Sequence, residues 1–387
     1  MKLAQRMARL GNETAFEVLA KAQQLEAEGK HIIHLEIGEP DFETPANVVE
    51  AGRQALSDGF TSYNPSPGYD DLKDSIAKDI SRSRGISVQK ENVIVTPGGK
   101  PVIFFMILAM IEKGDEVLYP NPGFPIYESM IEFCGAKAVP MRLHERNSFN
   151  LDIDEVQSQI SDKTKLMIIN SPNNPCGSVI DKKNLETLSQ LAKEHDISVL
   201  SDEIYSRFLY EGSHQSIASF PDMIDRTIIL DGYSKTYSMT GWRIGYGIFP
   251  KDLVEPISRL VTNSVSCTAS FTQRAALEAT DGPQEDSIKM VEEFKKRRSI
   301  VVDGLNKIDG ISCAMPKGAF YAFPNVEGTG MSSSEFANRV LEEAGVALLA
   351  GESFGKYGTG HIRISFANSA ENLRTAIDRI QKFVESN

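Results

Sequence analysis

Short apolar segments alternate with longer amphipathic segments through the middle of the chain. The short ones are rich in valine, isoleucine and leucine and are typical of buried strands: "NVIVTP", "DEVLYP", "KAVPMRL", "KLMIINSP", "SVLSDEIY", "TIILDGYSK" and "GYGIFP". Between them, "KPVIFFMILAMIEKG", which we expect to end at Gly114, and "KKNLETLSQLAKEHD" have the length and spacing of helices. Strands that alternate with helices predict a mostly parallel sheet covered on both faces.

The pattern changes after about Gly282. A long charged helix there leads into the short segments "GAFYAFPNV", "GVALLAGESF" and "HIRISFA" and then into a last helix. That helix has one apolar stripe, formed by Leu373, Ile377, Ile380 and Val384. Near the N-terminus, "TAFE" (Thr14 to Glu17) has the form of a capping box and predicts a helix that ends near Gly29.

These elements predict an α/β protein with two domains. A chain of 387 residues is too long for one simple core. We expect a large domain over residues 48–284 that contains the parallel sheet, and a smaller α+β domain formed by both termini, residues 1–47 and 285–387.

Composition and charge narrow the functional classes. A hydrophobic content of 41% and a charged content of 24% are typical of soluble globular proteins. The formal net charge of -12 disfavours a nucleic-acid partner. The 4 cysteines are scattered without a CxxC pair, the N-terminal residues lack a long apolar run, and "PVIFFMILAMI" is too short to span a bilayer. We therefore expect a cytoplasmic protein without disulfides, signal peptide or membrane anchor.

Polar and glycine-rich segments follow several predicted strands. "VIVT" precedes Pro97-Gly98-Gly99-Lys100, "MIIN" precedes "SPNNPCG", "SVLS" precedes Asp202, and "TIILD" precedes the segment that contains Lys235. Ligands of open α/β sheets bind beyond the carboxyl ends of the strands, so these segments should share one crevice if the strands are parallel neighbours.

The chemistry of these segments fits one kind of ligand. Gly98 and Gly99 form either a tight turn or a cradle for a phosphate at a helix start. A partly buried Lys235 would have a lowered pKa and could form a Schiff base, and the planar fork of Arg243 suits a phosphate or carboxylate. With Asp202 as an acid for a ring nitrogen, the set fits pyridoxal 5′-phosphate.

The order of motifs along nearly the whole chain resembles class I aminotransferases of the fold-type I pyridoxal-phosphate superfamily. The motifs are "IGEPDF", "YNPSPG", "TPGGK", "NPGFPIYE", "NSPNNPCG", "SDEIY", "SKTYSMTGWRIGYG", "GAFYAF" and "HIRISFA". The resemblance is to bacterial-type aspartate and aromatic aminotransferases. It implies the fold predicted above, with a large cofactor-binding domain and a smaller one.

The resemblance also implies roles for individual residues. Lys235 would be the Schiff-base lysine and proton-moving base, and Asp202 the acid at the pyridine nitrogen. Tyr205 and Asn174 would bond the 3′-oxygen, and Phe124 would stack on the ring. The implied phosphate ligands are Gly98, Gly99, Lys100, Arg243 and, from a partner subunit, Tyr63. The implied substrate ligands are Gly38, Asn174, Lys100 and, for the α-carboxylate, Arg363.

Two positions depart from the family pattern. Gly232 stands where the family often has a phosphate-binding serine, and Cys176 follows Pro175 where threonine is usual. A thiol donates poorly, so Cys176 cannot replace the hydroxyl well. The partner-subunit tyrosine implies a homodimer with shared sites.

The implied reaction is a ping-pong transamination between an L-amino acid and a 2-oxo acid such as 2-oxoglutarate. Lys100 favours aspartate or glutamate as donor, whereas the carboxylate of Glu13 could repel an acidic side chain, so aromatic and other donors stay open. A C–S β-lyase or another pyridoxal-phosphate reaction on the same fold is the alternative. A regulatory protein with a degenerate site is disfavoured, because Lys235, Asp202, Arg243 and Arg363 are all present.

A metal site is not expected. His31 and His34 lie in the apparently extended segment "HIIH", and alternation along a strand would place them on opposite faces.

Overall fold

The computed structural model describes residues 2–387 and contains thirteen strands and twelve α-helices within that range, joined by short 3-10 segments and one π-helical turn. The strands are β1 Ile33–His34, β2 Val93–Thr96, β3 Glu116–Asn121, β4 Lys137–His144, β5 Asn150–Leu151, β6 Thr164–Asn170, β7 Ser198–Asp202, β8 Thr227–Gly232, β9 Gly245–Ile248, β10 Tyr321–Ala322, β11 Val346–Ala347, β12 Leu349–Ala350 and β13 Ile362–Ser365. The helices are α1 Thr14–Ala27, α2 Ala46–Ser57, α3 Asp70–Arg84, α4 Lys100–Met110, α5 Ile126–Cys134, α6 Ile153–Gln159, α7 Lys182–Glu194, α8 Lys251–Ser264, α9 Ser270–Asp281, α10 Glu285–Leu305, α11 Ser333–Arg339 and α12 Ala370–Glu385.

The central sheet has eight strands in the order β2-β9-β8-β7-β6-β3-β4-β5. The strands from β8 through to β4 pair in parallel, whereas β9 is antiparallel to both of its neighbours and β5 is antiparallel to β4. The prediction of a mostly parallel sheet is confirmed. One detail differs from the expectation of parallel neighbours: β9 lies between β2 and β8. Because β2 and β8 are both antiparallel to β9, they still run in the same direction and end at the same edge.

Both faces of the sheet are covered, as the continuous apolar strands predicted. In β6, Leu166 and Ile168 pack into one buried cluster with residues of α4, α5 and α8. Met167 and Ile169 point into a second cluster, which contains residues of α7. The alternation of side chains along a strand sends neighbouring residues to opposite faces, so a strand buried on both faces must be apolar throughout.

The remaining core combines the two ends of the chain. β1 pairs in parallel with β11, and β10, β13 and β12 form a small antiparallel sheet. The predicted apolar stripe of α12 is confirmed: three of its residues are buried in this core and Val384 packs against it. The exact division at residues 48 and 284 stays a prediction.

The first helix, from "TAFE" to near Gly29, is confirmed, but its capping box and the end of α4 were predicted wrongly. The helix α1 starts at Thr14 with Glu13 as its N-cap, and no side chain caps it, so the capping box is absent. Asn12 instead donates to the Glu17 carboxylate at 2.8 Å. The helix α4 ends at Met110 rather than near Gly114. The N–H of Glu112 bonds to the Asp115 carboxylate at 2.8 Å, and such local side-chain bonds compete with continued helix.

Every helix among residues 2–387 is too short or too polar to cross a lipid bilayer.

Candidate active site

A cavity of about 450 Å³ opens at the carboxyl ends of β6, β7 and β8. It is lined by ten of the residues predicted from the sequence: Gly38, Gly99, Lys100, Phe124, Asn174, Asp202, Tyr205, Lys235, Arg243 and Arg363. The register places Asn170 beside Asp202 and Asp202 beside Leu230, so these strands end level with one another. The shared crevice expected from the strand ends is therefore present.

Lys235 lies in the turn that follows β8, and its Nζ donates to the carbonyl oxygen of Gly38 at 2.6 Å. Burial lowers the pKa of Lys235 to about 8, and the positive charges of Arg363 and Arg243 act in the same direction against the opposing effect of Glu39. A lysine with this pKa holds an appreciable fraction of neutral amine near neutral pH. It can therefore act as a nucleophile or as a base.

Asp202 ends β7 and is buried. The Tyr127 hydroxyl donates to its Oδ2 at 2.6 Å, and the Ile204 N–H donates to its Oδ1 at 3.2 Å. Burial raises the pKa of Asp202 to about 6, and these two hydrogen bonds oppose the rise. Tyr127 was not singled out from the sequence. It belongs to the motif "NPGFPIYE", but nothing local shows that it reaches a carboxylate 75 positions away.

The glycine turn lies against Arg243, which lines the cavity. Gly98 has φ +88°, and a Cβ there would lie 2.3 Å from Nη2 of Arg243. Arg243 itself has φ 52° and donates from Nη1 to the carbonyl oxygen of Thr240 at 2.7 Å. Gly99 is the N-cap of α4. A guanidinium beside a helix start forms a site for an anion such as a phosphate.

Arg363, in β13, also lines the cavity and is buried against the rings of Tyr321 and Phe354, with its guanidinium carbon 4.6 and 4.9 Å from the two ring centroids. Nη1 donates to Asn174 Oδ1 at 3.1 Å, and Nη2 donates to the carbonyl oxygen of Glu36. The Nε of Arg363 is buried without a hydrogen-bond partner among the described residues. A buried donor without a partner is costly, and a ligand carboxylate would satisfy it.

A pair of tyrosines joins the sheet edge to the terminal core. The hydroxyl oxygens of Tyr205 and Tyr321 lie 2.7 Å apart. A Cβ at Gly38 would lie 2.1 Å from the Tyr321 hydroxyl oxygen, so only glycine fits there. Tyr321 stands in the quoted motif "GAFYAF" but was not assigned a role from the sequence.

At the cavity mouth, Lys100 forms an ion pair with Glu13. Its Nζ lies 5.6 Å from the centroid of the Phe124 ring. Phe124 in turn meets Tyr127 edge to face, with ring centroids 5.7 Å apart. The sequence raised Glu13 only as a possible source of repulsion, and the ion pair adds a second role.

Two predicted residues do not line the cavity. Gly98 does not line the cavity itself, but it lies against the guanidinium of Arg243, which does. Tyr63 has a relative exposure of 88% and borders a separate groove with Phe60, Cys267 and Phe271. Within one subunit Tyr63 has no part in the site, so its predicted role depends on a partner subunit.

The two departures from the family pattern have different surroundings. A Cβ at Gly232 would lie 2.9 Å from the Cα of Gly245 in the adjacent strand β9, so a serine does not fit without a shift of backbone. Cys176 is buried, and burial raises the pKa of its thiol well above the usual value. Cys176 is therefore a neutral packing residue.

The histidines of "HIIH" have other partners. The ring nitrogens of His34 lie 2.8 Å from Glu36 and 3.2 Å from Glu26, and that of His31 lies 3.0 Å from Arg379. Among residues 2–387, one group has the spacing for a metal ion, and it lies outside the cavity: His144, Asp152 and Glu155. His144 already bonds to Glu155 at 2.7 Å.

The comparison with known proteins agrees with this geometry. The family model "Aminotransferase class I and II" matches residues 30–380. The chain belongs to this aminotransferase family. It is similar to an aspartate aminotransferase of Pyrococcus horikoshii, with 39% identity over 99% of this chain and 97% of the relative. It is also similar to aromatic-amino-acid aminotransferase 2 of Thermococcus litoralis, with 38% identity over 100% of this chain and 99% of the relative.

Solved structures show the same fold. The structure of aspartate aminotransferase from Thermus thermophilus with maleate has a TM-score of 0.94 and 37% identity, and 99% of each chain is covered. The fold-type I architecture implied by the sequence motifs is thus confirmed. As a member of this family the protein is an aminotransferase, an enzyme that transfers an amino group from an amino acid to a 2-oxo acid.

Proposed function

We propose that this aminotransferase uses pyridoxal 5′-phosphate and transfers the amino group of an L-amino acid, with aspartate or glutamate favoured, to a 2-oxo acid such as 2-oxoglutarate. One observation carries the proposal: a lysine with a pKa of about 8 lies in the same cavity as a buried aspartate and two arginines, Arg243 and Arg363. The names of the relatives, aspartate and aromatic-amino-acid aminotransferases, support both donor classes.

The residues present fit this cofactor. Its phosphate needs an anion site, and Gly98 leaves room beside the Arg243 guanidinium that any Cβ would fill. Its ring nitrogen needs an acid, and Asp202 is buried with its hydrogen bonds to Tyr127 and Ile204 directing the carboxylate. Its aldehyde needs an amine of lowered pKa, which Lys235 supplies.

Each group would have defined ligands in this arrangement. Lys235 would hold the aldehyde and Asp202 the ring nitrogen, with Phe124 against the ring face. Asn174 and Tyr205 would hold the ring oxygen. The phosphate would be held by Gly98, Gly99, Lys100 and Arg243, and by Tyr63 of a second subunit. When bound, the cofactor supplies an electron sink that stabilises negative charge at the substrate Cα.

The protein's own side chains then position the substrate and move the proton. Arg363 would bind the α-carboxylate through its unpaired Nε and the N–H groups of Nη1 and Nη2 that do not already bond to Asn174 and Glu36. The backbone of Gly38 approaches closely because it has no side chain. With its pKa near 8, the Nζ of Lys235 could accept a proton from the substrate Cα and deliver it to the carbon of the former aldehyde group.

A homodimer in the cytoplasm is part of the proposal. The exposed Tyr63 and the groove that it borders support an interface in which one subunit completes the site of another. The formal net charge of -12 supports small-molecule substrates rather than nucleic acid.

Replacement of Lys235 tests the proposal directly. Lys235→Ala should abolish amino transfer from aspartate to 2-oxoglutarate, because the other lysine of the cavity, Lys100, is ion-paired with Glu13. The near-ultraviolet and visible absorbance of protein-bound pyridoxal phosphate should change as well. Near-normal turnover with an unchanged cofactor spectrum would refute the assignment. Release of ammonia and pyruvate from cystathionine by the wild type, without amino transfer, would instead indicate a C–S lyase.

A further inference from the structure

We propose that Glu13 is a specificity-determining residue, which competes with the distal carboxylate of a dicarboxylic substrate for Lys100. The inference rests on the proposed function and deepens it, since it states how the same site distinguishes acidic from uncharged side chains.

One cationic side chain of the cavity is available to bind the side chain of a substrate. Lys235, Arg243 and Arg363 have roles toward the cofactor or the α-carboxylate in the proposed arrangement. Lys100 would meet the phosphate through its backbone at the start of α4, so its side chain is the remaining lysine or arginine side chain among the described residues that line the cavity. Its side chain is 45% exposed, so its ammonium group is accessible from the cavity mouth.

Glu13 already binds this cation. Its carboxylate forms an ion pair with Lys100 Nζ, and its own side chain is 16% exposed. An ion pair this open to solvent is weak, so a substrate carboxylate can displace it. Lys100 is also the first residue of α4, and the start of a helix favours an anion. The position beside Lys100 is therefore suited to one carboxylate, which comes from either Glu13 or the substrate.

The backbone holds Glu13 at the mouth of the cavity. The Gly11 N–H donates to Ser129 Oγ at 2.9 Å, which attaches this segment to α5. The Glu13 N–H donates to Asn12 Oδ1 at 2.9 Å, and Asn12 Nδ2 donates to Glu17. Because the residues just before Glu13 are anchored in this way, its carboxylate competes from a held position.

The rest of the mouth suits uncharged side chains. Ala15, Phe16, Ile37 and Ile103 line the same cavity together with Phe124. An apolar or aromatic side chain can lie against these residues while the ion pair stays closed. The distal carboxylate of a dicarboxylic substrate must displace Glu13 from Lys100, so Glu13 lowers the affinity for acidic substrates selectively.

Binding of unreactive acids to the protein loaded with pyridoxal phosphate measures this penalty without turnover. Succinate carries two carboxylates and butyrate carries one, and calorimetry gives a dissociation constant for each. Glu13→Gln should bind succinate about twofold to fivefold more tightly than the wild type and butyrate equally well. The KM for aspartate should fall by a similar factor, while the KM for phenylalanine should not change.

Glu17→Gln is the matched control. It removes the same charge one helical turn away, the side chain does not line the cavity, and the amide oxygen of glutamine can still accept the bond from Asn12. Succinate and butyrate should bind to this variant as they do to the wild type.

A second variant separates competition from general repulsion. Lys100→Met should weaken succinate binding, and Glu13→Gln should have no further effect in that background. Equal changes for succinate and butyrate in Glu13→Gln, or a gain for succinate that persists without Lys100, would overturn the inference. A wild type that transaminates no donor would contradict the proposed function, while the two binding constants would still decide the role of Glu13.

Discussion

At the scale of single residues, one physical cause acts on two groups in opposite directions. Burial disfavours the charged form, so it lowers the pKa of Lys235 to about 8 and raises that of Asp202 to about 6. Both shifts bring the pKa nearer to neutral pH. The two groups can therefore change protonation state when a charged partner binds, which is the behaviour expected of residues that contact a cofactor.

Tyr127 should keep Asp202 ionised. Its hydroxyl donates to Oδ2 and thereby lowers the pKa that burial raises. Tyr127→Phe removes that bond, and a hydrogen bond to a charged group is strong enough to move the midpoint of the titration about one pH unit upward. The cofactor's ring nitrogen requires the ionised acid. As the pH is lowered, the variant apoprotein should therefore lose its affinity for pyridoxal phosphate at a higher pH than the wild type does. Equilibrium dialysis between pH 5 and 8 measures the two midpoints.

Tyr119→Phe provides the comparison for that measurement. Tyr119 is also a buried tyrosine, but its hydroxyl accepts from Asn121 at 3.1 Å and does not contact Asp202. Removal of the Tyr119 hydroxyl should leave the pH midpoint of cofactor binding unchanged. Equal midpoints for Tyr127→Phe and the wild type would remove Tyr127 from any role at Asp202.

At the scale of elements, one arginine connects a helix to the strand ends that carry the site. Arg84, the last residue of α3, donates to Glu203 at 2.8 Å and to Asp231 at 2.6 Å. Burial alone would raise the pKa of Glu203, but attraction to His214 and Arg84 outweighs it and lowers that pKa. Glu203 follows β7 and Asp231 lies in β8. Arg84 therefore ties together the ends of β7 and β8, the two strands that position Asp202 and Lys235.

Loss of this arginine should destabilise the fold. Arg84→Met would leave the buried Asp231 without its ion-pair partner and Glu203 with His214 alone, which costs roughly 3–5 kcal/mol of the free energy of unfolding. Urea denaturation followed by circular dichroism measures the change. Arg82→Met is the matched variant on the same helix, because the Arg82 side chain is 79% exposed, and it should have little effect. Similar losses in both variants would show that Arg84 has no special role.

The sequence predicts elements better than the contacts between them. Lys235 and Asp202 follow apolar strands, and the edge of a parallel sheet brings such residues together, so both could be found from the local pattern. Arg363 was found only through the resemblance, since a lone arginine in a short terminal strand carries no local signal. The Lys100–Glu13 ion pair joins residues 87 positions apart, and periodicity contains no information on such pairs. The end of α4 was missed because a local carboxylate bond overrode an apolar run that favours helix.

At the scale of the whole molecule, the proposed dimer can be tested by complementation. A subunit with Lys235→Ala lacks the lysine of its own site but can still supply Tyr63 to the site of its partner. A subunit with Tyr63→Ala keeps its own lysine but cannot supply the tyrosine. A heterodimer of the two, purified through different tags, should contain one complete site and should exceed the summed activity of the two parent homodimers. Activity equal to that sum, or a molar mass of one subunit in light scattering, would contradict shared sites.

The separation between the sheet and the terminal segments has a consequence for how such an enzyme can diversify. The residues proposed to hold the cofactor aldehyde and ring nitrogen, Lys235 and Asp202, follow or end central strands, whereas Glu13, Gly38 and Arg363 come from the two ends of the chain. Mutations in the terminal segments can therefore alter which amino acid is accepted while the cofactor stays bound. Random mutagenesis confined to residues 11–39 should yield variants with changed donor preference and unchanged cofactor content. The architecture thus allows new substrates to be acquired without rebuilding the chemical centre.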